Sequence, residues 1–250
     1  MANQNRVTAA RPPGAAGPAA VSFSARDRLP APEAITRIVL RPLASSLPLG
    51  FFAFGTGSIL LTALELHWVP AGQAPSVMKL VLAFVVPLEL LAGIIACLAR
   101  DSGAATALAL LGTAWAGVSV TTLAGPPGGR SPALSVFLFT LAPIMLLLSV
   151  AALKAKPLFG VLLAIGAIRF ALTGVYQAGG VTAWQSVAGW IGVPLAAFAL
   201  YGGLALLLED GASETILPLG RRGRARTWLE GDLGHQIEHA EREPGVRRQL

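Results

Sequence analysis

Cysteine and charged residues are scarce in this chain of 250 residues. The single cysteine, Cys97, excludes a disulfide within the chain and a metal site built from cysteine pairs. Asp, Glu, Lys and Arg together make up 13% of the residues, against about 25% in soluble domains. The sequence also lacks a GxxxxGK phosphate-binding loop and a Ser-His-Asp arrangement typical of hydrolases. We therefore expect no enzymatic activity, no ATP-driven step and no cofactor.

Apolar residues dominate, at 54% of the chain, and the mean hydropathy is +0.65. A helix needs roughly 20 apolar residues to cross the hydrocarbon layer of a bilayer, which is about 30 Å thick. Six stretches of that length are separated by short segments rich in turn-forming residues. The six predicted spans are Leu49–Trp68, Val77–Ala99, Ala104–Leu123, Leu134–Leu153, Leu158–Tyr176 and Ala183–Leu208. The sequence predicts an all-α membrane protein with six transmembrane helices.

Two polar tails flank the predicted membrane domain, which covers residues 45–220. Residues 1–44 are basic and rich in Ala, Pro and Ser. They are predicted to be disordered or partly helical, because they offer little apolar surface to offset the entropy of ordering. In the charged tail 221–250, apolar residues recur every four positions from Leu229 to Ile237, which indicates an amphipathic helix.

The basic residues between the spans indicate the orientation of the chain. Arg100, Lys154 and Lys156 fall in connections at one end of the predicted spans, and Arg130 falls at the other. Because Lys and Arg are enriched on the cytoplasmic side of membrane proteins, we expect both termini in the cytoplasm and the chain in the lipid of the plasma membrane. This topology explains the net charge of +6 without a nucleic-acid partner.

Two ionisable residues lie deep in the predicted spans, Glu89 in the second and Arg169 in the fifth. Each costs about 2.5 to 3.5 kcal/mol at the centre of a membrane helix, so neither is expected to face lipid. One interpretation joins them in a structural ion pair. In the other, Arg169 binds a solute carboxylate and Glu89 accepts a proton or gates the path. Glu65 and His67, next to Trp68 at the end of the first span, are expected at the membrane interface.

Short motifs follow one another in a fixed order along the membrane domain. They are Pro48-Leu49-Gly50, Phe54-Gly55, Ala92-Gly93, Gly112-Thr-Ala-Trp115, Ala188-Gly-Trp-Ile-Gly192, Tyr201 and Leu217-Pro-Leu-Gly220. In residue type, order and spacing they resemble the signatures of the acetate uptake transporters, also called succinate-acetate permeases. Ser45 and Ser46 stand where the first signature has Asn and Pro.

The resemblance implies six helices around a solute path in each protomer, a hexameric ring, and uptake of acetate or related short carboxylates. It places Pro48, Leu49 and Gly50 in a substrate-entry site at the start of the first helix. There, backbone N–H groups freed by Pro48 and Gly50 are expected to meet the carboxylate. Phe54 becomes one wall of a narrow apolar constriction.

The resemblance also assigns residues farther along the chain. Leu111 takes the position of a Tyr that shares the constriction in relatives, and Gly166 falls near a Leu of the fifth helix. Trp115 of the third helix is placed along the same path. Glu89 aligns with a Gln, and Arg169 aligns with an apolar residue, so the polar groups inside this chain differ from those of the family.

Three functions remain open at this point. The leading one is transport of acetate or a similar short monocarboxylate, either through a channel or linked to protons. The first alternative is a channel for a neutral solute such as urea or an amide, which an apolar constriction also allows. The second alternative is a non-transporting membrane scaffold that recruits a partner through the tail 221–250.

Overall fold

Six long helices account for most of residues 44–212 and 215–220, which are the residues described by the computed structural model. They are α1 (Leu47–Glu65), α2 (Ala71–Leu98), α3 (Ser102–Ala124), α4 (Pro132–Leu153), α5 (Pro157–Gln177) and α6 (Thr182–Ala212). All six are long and apolar enough to cross a membrane. The predicted all-α fold with six spans is confirmed for this part of the chain. The predictions for the tails, residues 1–43 and 221–250, lie outside the described residues.

Helix starts follow from local side-chain chemistry. The Asp101 carboxylate accepts a hydrogen bond from the Ala104 N–H at 3.2 Å, and the Ser131 hydroxyl oxygen accepts one from the Leu134 N–H at 3.2 Å. Both bonds satisfy N–H groups that have no acceptor within the helix. Pro132 begins α4, where the missing N–H of proline costs no helical hydrogen bond. Because of these caps, α3 and α4 begin slightly before the predicted spans do.

The second helix departs most from its prediction. It begins at Ala71 rather than Val77, and it contains a π-helical turn at Val81–Val85. Pro87 follows this turn closely. In a regular α-helix its ring would clash with the carbonyl four residues earlier. The wider turn accommodates the proline, and α2 continues as an α-helix over Val86–Leu98.

Helices pack closely where a glycine lies at the contact between them. α1 lies along α6, α2 along α3, and α4 along α5. A Cβ atom on Gly93 would lie 3.2 Å from the backbone nitrogen of Ala109, and one on Gly202 would lie 2.6 Å from Cδ2 of Leu158. Small residues are used in this way in membranes because lipid removes the hydrophobic attraction between helices.

The helix bundle has two polar ends. One, called the Asp101 end, holds the ion pair between Asp101 and Lys156 at the starts of α3 and α5. The other, called the Arg130 end, holds Arg130, whose guanidinium lies 4.7 Å from the centre of the Tyr176 ring. Between the ends, large apolar side chains such as Leu147 stay exposed, which suits contact with lipid.

Candidate functional site

A cavity of about 60 Å³ lies within the bundle, lined by residues of every helix except α2. Such a volume holds about four water-sized groups. Most of the lining is apolar and includes Phe54, Trp115, Leu138 and Leu195. The cavity therefore suits a small solute that carries an apolar part.

The ring of Phe54 forms one wall of this cavity. It is 4% exposed and packs edge-on against Trp115, with 6.1 Å between the ring centres. Gly57 makes room for that contact, because a Cβ atom there would lie 2.9 Å from Cζ2 of the indole. Gly166 on α5 faces the ring, and a Cβ atom on it would have a single neighbour within 4 Å, the Phe54 Cζ at 3.9 Å. Gly166 therefore leaves open space in front of the Phe54 ring.

Arg169 is the one charged residue of the cavity lining within the described part of the chain. Its Nη2 donates to Glu65 Oε2 at 2.6 Å and to Thr62 Oγ1 at 2.9 Å, and its Nη1 donates to the Ser58 carbonyl at 3.3 Å. The Thr173 hydroxyl donates to Glu65 Oε1 at 3.2 Å. The three acceptors on α1 share one face, because residues spaced by three and four positions lie above one another on a helix.

The ion pair between Glu65 and Arg169 is enclosed by the glycines of the Ala188-Gly-Trp-Ile-Gly192 motif. A Cβ atom on Gly192 would lie 2.6 Å from Cζ of Arg169 and would also clash with the Thr62 hydroxyl. One on Gly189 would lie 3.0 Å from Cβ of Glu65. The motif thus provides a slot in α6 into which the ion pair fits.

Three buried polar groups on residues of the cavity lining have no partner within residues 44–212 and 215–220. They are the Arg169 Nε–H, the Ser58 hydroxyl and the Trp115 indole N–H. An unsatisfied buried donor costs about 1 to 3 kcal/mol. Arg169 and Ser58 thus bring unsatisfied hydrogen-bonding groups next to the cavity wall.

A second, smaller hollow of about 30 Å³ lies next to the cavity, at the Arg130 end. Thr122, Leu134 and Gln177 line both spaces. The Gln177 side-chain oxygen accepts a hydrogen bond from the Ser131 N–H at 2.8 Å, and Arg130 lines the hollow. A guanidinium at the mouth of a cleft raises the local concentration of anions.

The predicted entry residues Pro48, Leu49 and Gly50 lie in the first turn of α1, at the Asp101 end, and they do not line the cavity. The Gly50 N–H donates to the Ser46 carbonyl at 3.1 Å. The expectation that Gly50 frees a backbone donor is therefore wrong. A Cβ atom on Gly50 would lie 2.5 Å from Cδ2 of Leu108, so the glycine allows close packing of α1 on α3.

The residues predicted to surround the constriction lie in different surroundings. Phe54, Gly166 and Trp115 line the cavity together. Leu111 is 2% exposed and belongs to the hydrophobic core, outside the cavity lining.

The predicted ion pair between Glu89 and Arg169 is wrong, because Arg169 pairs with Glu65. Glu89 is fully buried on α2 and faces the Trp115 indole. Neither its carboxyl oxygens nor the indole N–H reaches hydrogen-bonding geometry with a described residue. Glu89 also lies outside the lining of the cavity.

The expected interfacial position of Glu65 is wrong as well. Glu65 is 4% exposed, because α5 supplies Arg169 beside it and α6 covers it with Gly189. A signal for this burial is present in the sequence. Polar side chains recur at Ser58, Thr62 and Glu65, on one face of an otherwise apolar helix.

Six apolar helices, five of which line a cavity with one charged residue among the described lining, define a multi-pass membrane protein with a binding space for a small solute. A sequence model of the GPR1/FUN34/yaaH family matches residues 30–220, so the chain belongs to this family of acetate transporters. The resemblance seen in the motifs is thereby confirmed.

The fold is similar to that of a solved structure, described as the structure of the bacterial acetate channel SatP. The TM-score is 0.64 and the sequence identity is 22%, over 71% of this chain and 99% of that chain. At this identity the likeness concerns the fold. Among proteins with curated functions, none matches this sequence.

Proposed function

We propose that the protein moves acetate or a similar short monocarboxylate across the membrane through the cavity beside Arg169. The observation that carries the proposal is a buried guanidinium whose Nε–H has no described partner, in a cavity that is otherwise mostly apolar. A carboxylate that enters an apolar space loses hydration and needs donors in return. Membership of the family and the likeness to a solved acetate channel support the proposal.

The two ends of the solute would meet different walls of the cavity. The Arg169 Nε–H and the Ser58 hydroxyl donate to the carboxylate, and hydrogen bonds to charged groups are about twice as strong as neutral ones. Phe54, Leu138 and Leu195 receive the methyl group. Acetate has about as many non-hydrogen atoms as the cavity has room for water-sized groups, roughly four. The second carboxylate of a dicarboxylate would meet apolar walls, because Arg169 is the one charged residue of the described lining.

The proposed path runs along the bundle axis from one polar end to the other. The solute is attracted by Arg130, binds beside Arg169, and passes through the open space between Phe54 and Gly166. The other end of the path lies at the first turn of α1, at Pro48 to Gly50. Glu89 stays a candidate gating or proton-accepting group, since it faces Trp115 and the indole lines the cavity.

The proposal also includes the orientation of the chain, its membrane and its assembly. Arg100, Lys154 and Lys156 lie at the Asp101 end, so we place this end and both termini in the cytoplasm. We also propose the plasma membrane as the location and a hexamer as the assembly, on the resemblance to the family. Each protomer would then carry its own path.

A panel of solutes tests the proposed function. Purified protein in proteoliposomes is expected to give saturable influx of labelled acetate, slower influx of lactate, and no influx of succinate above that of empty liposomes. The physical reason is the small volume of the cavity together with its single guanidinium. Equal influx of urea and acetate would favour the neutral-solute channel. Rates equal to empty liposomes for all solutes would contradict transport.

A further inference from the structure

The Arg169 guanidinium already donates a hydrogen bond to a carboxylate of the protein, that of Glu65. Glu65 Oε2 accepts from Nη2 at 2.6 Å, and Glu65 Oε1 accepts from the Thr173 hydroxyl at 3.2 Å. Arg169 and Thr173 line the cavity, whereas Glu65 does not. Glu65 therefore lies behind its two donors as seen from the solute.

The use of the guanidinium donors limits what a solute can bind. A guanidinium carries five N–H groups, and it grips a carboxylate best through two of them at once. Both hydrogens of Nη2 are used, by Glu65 and Thr62, and Nη1 donates to the Ser58 carbonyl. Nε–H has no described partner, and one of the two Nη1 hydrogens is used. A solute carboxylate that binds through Nε–H and Nη2 together has to displace Glu65 or Thr62 from Nη2.

We propose that Glu65 competes with the solute carboxylate for Arg169 and thereby keeps solute binding weak enough for release. This inference rests on the proposed function of the cavity. Conduction requires a site that is favourable enough to enter and weak enough to leave. A buried guanidinium without a counter-charge would hold an anion too firmly, because few other groups stabilise its charge. Glu65 supplies that counter-charge through its ion pair with Arg169.

The Thr173 hydroxyl can donate its hydrogen bond either to Glu65 or to a solute carboxylate. Its hydroxyl lies at the cavity wall and donates to Glu65 in the empty site. When a solute carboxylate arrives, the same hydroxyl can rotate toward it, since a hydroxyl hydrogen is free to turn. Solute and Glu65 therefore share two donors, Nη2 of Arg169 and Oγ1 of Thr173.

The test replaces Glu65 in the full chain and measures acetate binding by titration calorimetry and by half-saturation of influx. Glu65→Gln keeps the shape of the side chain and removes its charge. We expect the dissociation constant for acetate to fall by about tenfold or more, since a stronger charge-assisted bond becomes available. The maximal rate of acetate exchange is expected to fall at the same time, because release becomes slower.

Two further variants keep the test decisive. Glu65→Asp keeps a negative charge that balances the positive charge of Arg169. Its shorter side chain moves the carboxylate away from Nη2. It is expected to lower the half-saturation concentration by about threefold. Glu209→Gln removes a buried carboxylate of α6 that lies outside the cavity lining, and it is expected to leave acetate binding unchanged.

The outcomes separate the inference from the proposed function. Saturable acetate influx with a half-saturation within twofold of the original chain in both Glu65 variants overturns the competition and leaves transport standing. Loss of folding in both variants makes Glu65 a structural residue and overturns it too. Absence of saturable acetate influx in the unmodified chain contradicts the proposed function itself.

Discussion

Arg169→Gln is expected to lower acetate influx by about 10- to 100-fold, because a hydrogen bond to a charged group contributes about 1.5 to 3 kcal/mol and each 1.4 kcal/mol is a factor of ten. The carboxylate would lose the one cationic partner that the described residues place in the cavity lining, whose other walls are mostly apolar. Influx of labelled acetate into proteoliposomes measures the effect. Influx of a neutral solute of the same size should change little.

The loss has to be separated from a loss of folding. Arg169→Gln leaves Glu65 buried without its partner, and breaking a buried ion pair costs about 3 to 5 kcal/mol of stability. The matched control is the double variant Glu65→Gln, Arg169→Gln, in which neither charge remains. It is expected to recover the melting temperature but not the acetate influx. Recovery of both would show that Arg169 has a structural role only.

Gly192→Ala is expected to destabilise the protein by about 3 kcal/mol or more, because the added methyl group overpacks the helices and displaces a buried ion pair. Its Cβ would lie 2.6 Å from the Arg169 Cζ and would clash with the Thr62 hydroxyl. A destabilisation of this size lowers the melting temperature in detergent by about 6 °C or more. Acetate influx should fall as well, since Arg169 would move.

The same helix offers a control for this prediction. Among the described residues, no atom lies within 4 Å of a Cβ atom built on Gly211 of α6, apart from its chain neighbours and its own helix backbone. Gly211→Ala is therefore expected to leave the melting temperature unchanged or raised, because Ala favours a helix over Gly by about 1 kcal/mol. A Gly192→Ala protein as stable as the Gly211→Ala protein would contradict the account of the slot in α6.

The helices could be predicted from the sequence because hydrocarbon imposes a length on every span. The main error, at the start of α2, arose where Pro75 and a 3₁₀ turn at Ala71–Gln73 precede the apolar run. Polar caps and prolines determine such boundaries locally, and hydropathy does not register them. The π-helical turn at Val81–Val85 could not be predicted from the composition either.

The candidate site was only partly predictable. Arg169 could be singled out because a charge in the middle of a span requires a partner. Its partner Glu65 is missed because residues at span ends usually meet water or headgroups, although the polar face formed by Ser58, Thr62 and Glu65 indicates burial. Glu65 is buried because α6 approaches closely at Gly189 and Gly192. That approach is a tertiary contact, and a single sequence shows only the glycines that permit it.

The most direct test of the solute path is acetate influx through the Gly166→Leu variant. A Cβ atom at this position has one neighbour among the described residues, the Phe54 Cζ at 3.9 Å, and Gly166 lines the cavity, so we expect the leucine to extend into the cavity and the protein to fold. Its leucine would fill the space in front of the Phe54 ring, and Gly166→Ala, which fills little of it, is the matched control. The account predicts that acetate influx is lost in Gly166→Leu and retained in Gly166→Ala. A folded Gly166→Leu protein that conducts acetate as fast as the original chain would contradict it.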